Sequence, residues 1–256
     1  MSEETTGKAS TSRALTTPDE IVTTALDIID RSGIDALTMR RLGSELGVFP
    51  ASLYWHVGNR SQLLGLVCEK VLSRIELPPA DLPWRDWLFA FGLRTRQVIG
   101  SHPRFAAYFV SNIQTSQSSL DIAEHTIAAL RRAGFAGHDL VRAYNAVTGA
   151  VFGWITGEFA ANPEETGGSA RSAIEGLTAD TDRYPNIRDL WPLAANRAYM
   201  LRWESGAGSP LGSSFETMLN ALLNGLARSR EIEEIAAREE APATSAAAAT
   251  TPGQPE

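Results

Sequence analysis

Residues 38–60 read TMRRLGSELGVFPASLYWHVGNR, and this stretch decides the fold. Thr38 is a helix N-cap, and Gly47 stops the short helix that it starts. Val48-Phe49-Pro50 makes a tight turn, and Pro50-Ala51-Ser52 opens a second short helix that Gly58-Asn59 breaks. Two short helices that cross steeply need a small residue at their closest approach, a glycine in the turn and apolar residues to hold the angle. Gly43, Gly47 and the set Leu42, Leu46, Val48 and Leu53 supply them. The stretch from Thr38 to Val57 therefore predicts a helix-turn-helix, whose second helix enters the major groove of DNA.

The spacing by itself also fits a plain helical hairpin, and the outward residues separate the two readings. Arg40, Arg41 and Arg60 are basic, and Glu45 is the sole acid between Thr38 and Arg60. Thr38, Ser52 and Tyr54 offer hydroxyls to phosphate oxygens. Pro50 and Ala51 can touch a thymine methyl but cannot hydrogen-bond a base edge, which leaves Arg40 as the best candidate for a guanine contact.

Outward from this unit, Thr17-Pro18-Asp19-Glu20 is a capping box with proline at the first helical position. It opens a helix with Ile21, Val22, Ala25, Leu26, Ile28 and Ile29 on one face, ended by Gly33. Asn59 or Ser61 caps a fourth helix with Leu63, Leu64, Val67, Val71, Leu72 and Ile75 on its face. Pro78, Pro79 and Pro83 mark a linker, and the domain boundary is placed near residue 79. Helices are then expected at about 84–101, 103–113, 119–134, 138–161, 187–203 and 212–230. Residues 162–186 read as a long loop, with a short helix at Ala170 to Gly176.

The expected architecture is all-α. A disordered arm (1–16) precedes a three-helix DNA-binding domain with its helix-turn-helix (17–79). A larger helical ligand-binding and dimerisation domain (80–230) follows, then a mostly disordered tail (231–256). The 256 residues are 43% hydrophobic, enough for a small and a larger core. The net charge of −7 does not exclude DNA binding, because phosphate affinity depends on where the cations sit. One cysteine, Cys68, excludes an intrachain disulfide and a cysteine-based zinc site, and fits a reducing cytoplasm. No secretory signal is visible, and the uncharged stretch Ala143 to Gly157 is too short to span a bilayer. The chain is expected to be soluble and cytoplasmic, with no membrane partner.

The string Leu53-Tyr54-Trp55-His56-Val57, followed by Asn59, Arg60 and Leu63-Leu64, resembles the tetracycline-repressor family of DNA-binding regulators. Ile34 to Leu42 looks like that family's entry into its helix-turn-helix, and Trp84-Arg85-Asp86-Trp87 and Ser101-His102-Pro103-Arg104 look like its regulatory domain. The resemblance implies a DNA interface of Thr38, Arg40, Arg41, Pro50, Ala51, Ser52, Tyr54, Trp55, His56 and Arg60. Arg60 would clamp the DNA backbone at the start of the fourth helix. Pro50 departs from the tetracycline-binding member, which reads a base with Gln there. That member's drug-anchoring His is matched by Glu76, so a drug–magnesium site is not implied.

The resemblance also implies a homodimer and a small-molecule effector, with no cofactor. Trp87, Phe91, Phe105, Phe109 and Phe152 are candidates to line an apolar effector cavity, with His102, Asn145, Thr148 and Glu158 as its polar members. Ala143, Ala146, Gly149, Ala150, Gly153 and Gly157 make one helix able to meet another closely. Phe215, Met218, Leu219, Leu222, Leu223 and Leu226 form a stripe on the last helix; two such helices from each subunit would make a four-helix interface.

The function expected is a repressor released from a palindromic double-stranded DNA operator by a largely apolar or aromatic effector. The alternative is a helical ligand-binding or interaction protein that activates or has lost DNA binding. His56, His102, His125 and His138 have no metal-ligand spacing, and neither a nucleophile signature nor a glycine-rich phosphate loop is present, so an enzyme is not expected.

Overall fold

The computed structural model describes residues 17–111, 116–159 and 211–240, together with Arg183 and Pro185. Helices and connecting turns make up the described residues, without a strand. The first is α1 (Pro18–Ser32). Its capping box is formed: Glu20 N–H donates to the Thr17 hydroxyl, and Thr17 N–H donates to the Glu20 carboxylate. The apolar face from Ile21 to Ile29 is buried.

A 3₁₀ turn (Ile34–Ala36) leads into α2 (Met39–Leu46), α3 (Pro50–Val57) and α4 (Arg60–Leu72). The Thr38 hydroxyl caps α2 by accepting from Arg41 N–H at 3.1 Å. Gly47 ends α2 at φ 64°, ψ 30°, a left-handed conformation that costs other residues about 1–2 kcal/mol. Gly43 sits where a Cβ would lie 2.8 Å from the Val48 carbonyl oxygen and 3.3 Å from Pro50 N. It makes room for the backbone of the turn itself. Val48 N–H donates to the Gly43 carbonyl at 2.8 Å, which closes that turn. Asn59, not Ser61, caps α4, in a reciprocal pair with Gln62. The helix ends at Leu72, and Ile75 is buried beyond it.

The second region contains α5 (Trp84–Gly100), α6 (Pro103–Ser111), α7 (Gln117–Arg132), α8 (Gly137–Phe159) and α9 (Leu211–Glu240). α7 starts two residues before the expected 119, because Ser116 caps it and Ser119 reciprocates. α9 runs to Glu240 rather than residue 230, so residues 231–240 are helix and not tail. Glu, Ile, Ala and Arg fill that extension, all compatible with helix, and the first breaker is Pro242. The expected arm 1–16, the loop and helices placed in 162–203, and residues 241–256 lie outside the described residues, Arg183 and Pro185 apart.

α1 packs on α2, α3 and α4, with Leu42, Leu53 and Leu63 completing the small core. In the larger region α8 packs against α5, α6, α7 and α9. Gly92 lets α5 approach α9; a Cβ there would lie 2.6 Å from a Leu219 methyl. The two regions meet where α6 packs on α1 and α7 on α4. Among the described residues no helix is long and apolar enough to cross a membrane.

Candidate functional site

α3 buries only Leu53 and Val57, which leaves its other face free. At 100° per residue, Ala51 and Trp55 point almost directly away from Leu53, with Ser52 and His56 on one flank and Tyr54 on the other. All five are exposed; Trp55 is 91% and Tyr54 52% accessible. Phe49, the α3 N-cap, is 81% accessible and was not foreseen from the sequence beyond its place in a turn. Thr38, the N-cap of α2, and Arg40 in its first turn are also exposed.

Not every predicted contact residue is available in the same way. Ser52 Oγ donates to the Phe49 carbonyl at 2.7 Å, so its proton is used and only its lone pairs face outward. The Arg41 guanidinium is drawn back to Glu45 Oε1 (3.2 Å) and Ser32 Oγ (3.0 Å). Glu45 also meets Arg31 at 2.5 Å. The Arg31 bond, followed by that from Arg41, holds the Glu45 carboxyl below the usual carboxylate range. The one acid in the motif is thus paired with two arginines. Arg60 donates from Nε to the Leu37 carbonyl (2.9 Å) and from Nη2 to the Ile34 carbonyl (2.8 Å). Two of its five N–H donors thus tie down the loop between α1 and α2.

In the larger region four of the five aromatic candidates are core, and Phe152 is partly buried against it. Trp87, Phe91, Phe105 and Phe109 are all buried to 1% or less accessibility. Trp87 stacks on Phe91, Phe105 lies against Phe109, and Phe109 lies against Phe152 across the α6–α8 contact. The Trp87 indole N–H donates to the Pro78 carbonyl at 3.0 Å, which fixes the linker rather than a ligand.

The polar candidates sit in different surroundings. His102 is held between two partners: Nδ1 lies 2.7 Å from Asp30 Oδ2 on α1, and Nε2 lies 3.0 Å from Arg74 Nη1 beyond α4. A guanidinium can only donate, so Nε2 accepts and Nδ1–H donates to Asp30. Glu158 is a buried anion held by Arg96 through two bonds of 2.8 and 2.5 Å, and Arg96 also lies over the Phe215 ring, 5.6 Å from its centroid. Asn145 is exposed on the outer face of α8 with Gly149 and Gly153. The Thr148 hydroxyl donates to the Tyr144 carbonyl at 2.8 Å. By contrast, the Thr95 hydroxyl and the Trp154 indole N–H are buried with no hydrogen-bond partner among the described residues.

Further ties join the two regions. Glu69 of α4 accepts at the start of α7 from Ser118 N–H and, at 2.6 Å, from the Ser118 hydroxyl. Partial burial works to raise the Glu69 pKa, but the bonds from Ser116 and Ser118 outweigh it and hold the carboxyl below its ordinary value. Arg104 at the head of α6 donates to the Arg31 carbonyl, and Arg94 of α5 donates to the Glu76 carbonyl at 2.7 Å. Cys68 lies inside α4, where burial pushes its thiol up to about 12. A groove of about 570 Å³ runs beside these ties, lined by His56, Gln62, Leu66, Glu69 and Gln117 among others.

Residues 21–67 match the family model described as bacterial regulatory proteins of the tetR family, and residues 77–230 match the tetracycline-repressor-like C-terminal domain. An HTH-type transcriptional regulator of Saccharopolyspora erythraea is 33% identical over 186 residues, which cover 72% of this chain and 79% of that one. The crystal structure of the Streptomyces coelicolor protein ActR in complex with actinorhodin superposes with a TM-score of 0.65 at 28% identity, covering 85% of this chain and 99% of that one. The structure of BioQ with its double-stranded DNA operator gives a TM-score of 0.53 at 30% identity, covering 64% of this chain and 99% of BioQ. With both halves matched and the two-part helical fold shared, this chain belongs to the tetracycline-repressor family of transcriptional regulators.

Proposed function

We propose that this chain is a homodimeric repressor that holds a palindromic operator through α2 and α3 and releases it when a largely apolar or aromatic effector enters the α5–α8 region. The observation that carries the reading is the α2–α3 surface: Arg40, Tyr54, Trp55 and His56 are exposed together, while the motif's one acid, Glu45, is tied to Arg31 and Arg41. BioQ, related in sequence and fold, is recorded on its operator. Arg40 reaches a base edge, Tyr54 and His56 approach phosphate, and Arg60 positions α2 from behind. Residues 17–79 form the DNA-binding domain and residues 80–230 the regulatory one.

The dimer uses the outer faces of α8 and α9. Gly149, Gly153 and Gly157 are exposed there, and a Cβ at each would meet nothing within 4 Å, as fits a surface awaiting a second helix. A two-fold dimer sets the two α3 helices about 34–36 Å apart, matched to successive major grooves. ActR is recorded with a bound ligand, which supports an effector site in the same domain here. Phe105, Phe109 and Phe152 seal α6 to α8, so an effector wedged among them would displace α6. That displacement would strain the bonds of His102 to Asp30 and Arg74, and of Arg104 to Arg31. The Thr95 hydroxyl of α5, buried with no partner among the described residues, would anchor a polar group of the effector. A coupling of about 1–3 kcal/mol between effector and operator is typical of such devices.

A gel shift with the DNA upstream of the chain's own coding region, against random-sequence competitor, tests the reading. A competitor-resistant shift that apolar aromatic compounds weaken is expected. Binding without sequence preference would overturn it.

A further inference from the structure

We propose that Phe49 is a specificity determinant that reads thymine 5-methyl groups in the operator. The inference rests on the DNA-binding role proposed above and names what the recognition surface selects. Phe49 stands at the head of α3 with its ring 81% exposed, and its side chain makes no capping bond. Such a position normally carries Ser, Thr, Asp or Asn. Its backbone is fixed: the Phe49 carbonyl accepts from Ser52 N–H at 3.0 Å and from Ser52 Oγ at 2.7 Å, and the preceding turn is closed by Val48 N–H on the Gly43 carbonyl. Gly43 packs so closely under that turn that its backbone has no room to sink inward. The ring is therefore held outward on a stiff mount.

Phe49 is continuous with Pro50 and Ala51, so the leading edge of α3 has no side chain able to hydrogen-bond a base edge. The one apolar group that a base pair offers in the major groove is the thymine methyl. The other exposed groups of the motif are suited to DNA: Thr38 caps α2, Arg40 lies in its first turn, and Tyr54 and His56 lie further along α3. An apolar tip within such a frame selects by methyl burial where a polar tip would select by hydrogen bonds.

The test begins with an operator recovered from a random duplex pool by the full-length protein. Each thymine is then replaced singly by deoxyuridine, which removes the methyl and leaves pairing intact. Burying one methyl-sized group corresponds to roughly a fourfold change in affinity. The wild type is expected to lose about three- to sixfold at one or two thymines per half-site. Phe49→Ala is expected to bind thymine and uracil operators equally at those positions, with an unchanged melting temperature because the ring is exposed. Phe49→Leu is expected to keep part of the preference. No position sensitive to the methyl, or an unaltered thymine preference in Phe49→Ala, overturns the inference while leaving the DNA-binding reading in place. A pool from which no sequence is enriched overturns the DNA-binding reading itself.

Discussion

Replacing Arg60 by Ala separates a residue that grips DNA from one that builds the part that does. The change removes two charge-assisted bonds, at 2.9 Å to the Leu37 carbonyl and 2.8 Å to the Ile34 carbonyl. Hydrogen bonds to charged groups contribute about 1.5–3 kcal/mol each when well shielded. Arg60 is exposed, so solvent screening reduces this, and a total loss of about 1–2 kcal/mol is expected. Urea unfolding followed by circular dichroism reads that loss directly. Arg60→Lys should recover less than half of it, because one ammonium cannot span two carbonyls as the planar fork does. Operator affinity should also fall, since the freed loop leads straight into the Thr38 cap of α2. The slope of log affinity against log salt should not change, because no phosphate contact is lost. Unchanged stability with a slope shallower by about two for the dimer, one phosphate per subunit, would refute the structural role.

Glu158→Gln leaves the Arg96 guanidinium without its buried counter-charge, and urea unfolding should show a loss of about 3 kcal/mol; pairing it with Arg96→Met should recover most of that. Because the Glu69 carboxyl is held below its ordinary value of 4.5, it adds stability that is complete above about pH 4.5 and fades as pH falls through the depressed value. Glu69→Gln should therefore unfold more readily at pH 7 and show a flatter loss of stability with acid, as acid titrations of melting temperature would show. Gly153→Arg places a long cation on the open face of α8. It should turn the dimer into a folded monomer by analytical ultracentrifugation; a dimer that persists argues against that interface.

Much of the fold was legible because local chemistry decides it. The Thr17–Glu20 box, the Thr38 cap and the Gly47 stop are short-range features that a sequence displays directly. Where two caps competed, at Asn59 and Ser61, Gln62 settled the matter by reciprocating with Asn59. α9 outran its expected end because its apolar stripe stops before its helix-forming residues do. Three of the predicted site residues share one trait. Arg60, Glu158 and His102 meet partners 23, 62 and 72 positions away, and nothing in a periodic pattern reports which carbonyl or carboxylate a long side chain will reach. His102 and Glu158 are polar residues among apolar ones, a pattern shared by ligand anchors and by interdomain or buried ion pairs. Phe49 went unremarked because a turn position predicts backbone shape and says nothing of where the ring goes.

The central claim is that α2 and α3 hold a specific operator. Fluorescence anisotropy of the selected operator, with excess random-sequence DNA present, measures it for the wild type, Arg40→Ala and Tyr54→Ala. Both side chains are exposed, so neither change should lower the melting temperature by more than a few degrees. Arg40→Ala should weaken binding by about 1–3 kcal/mol and relax the preference at one base pair per half-site. Tyr54→Ala should weaken specific and random DNA alike. If both folded variants keep the wild-type affinity and preference, DNA is not held on this face.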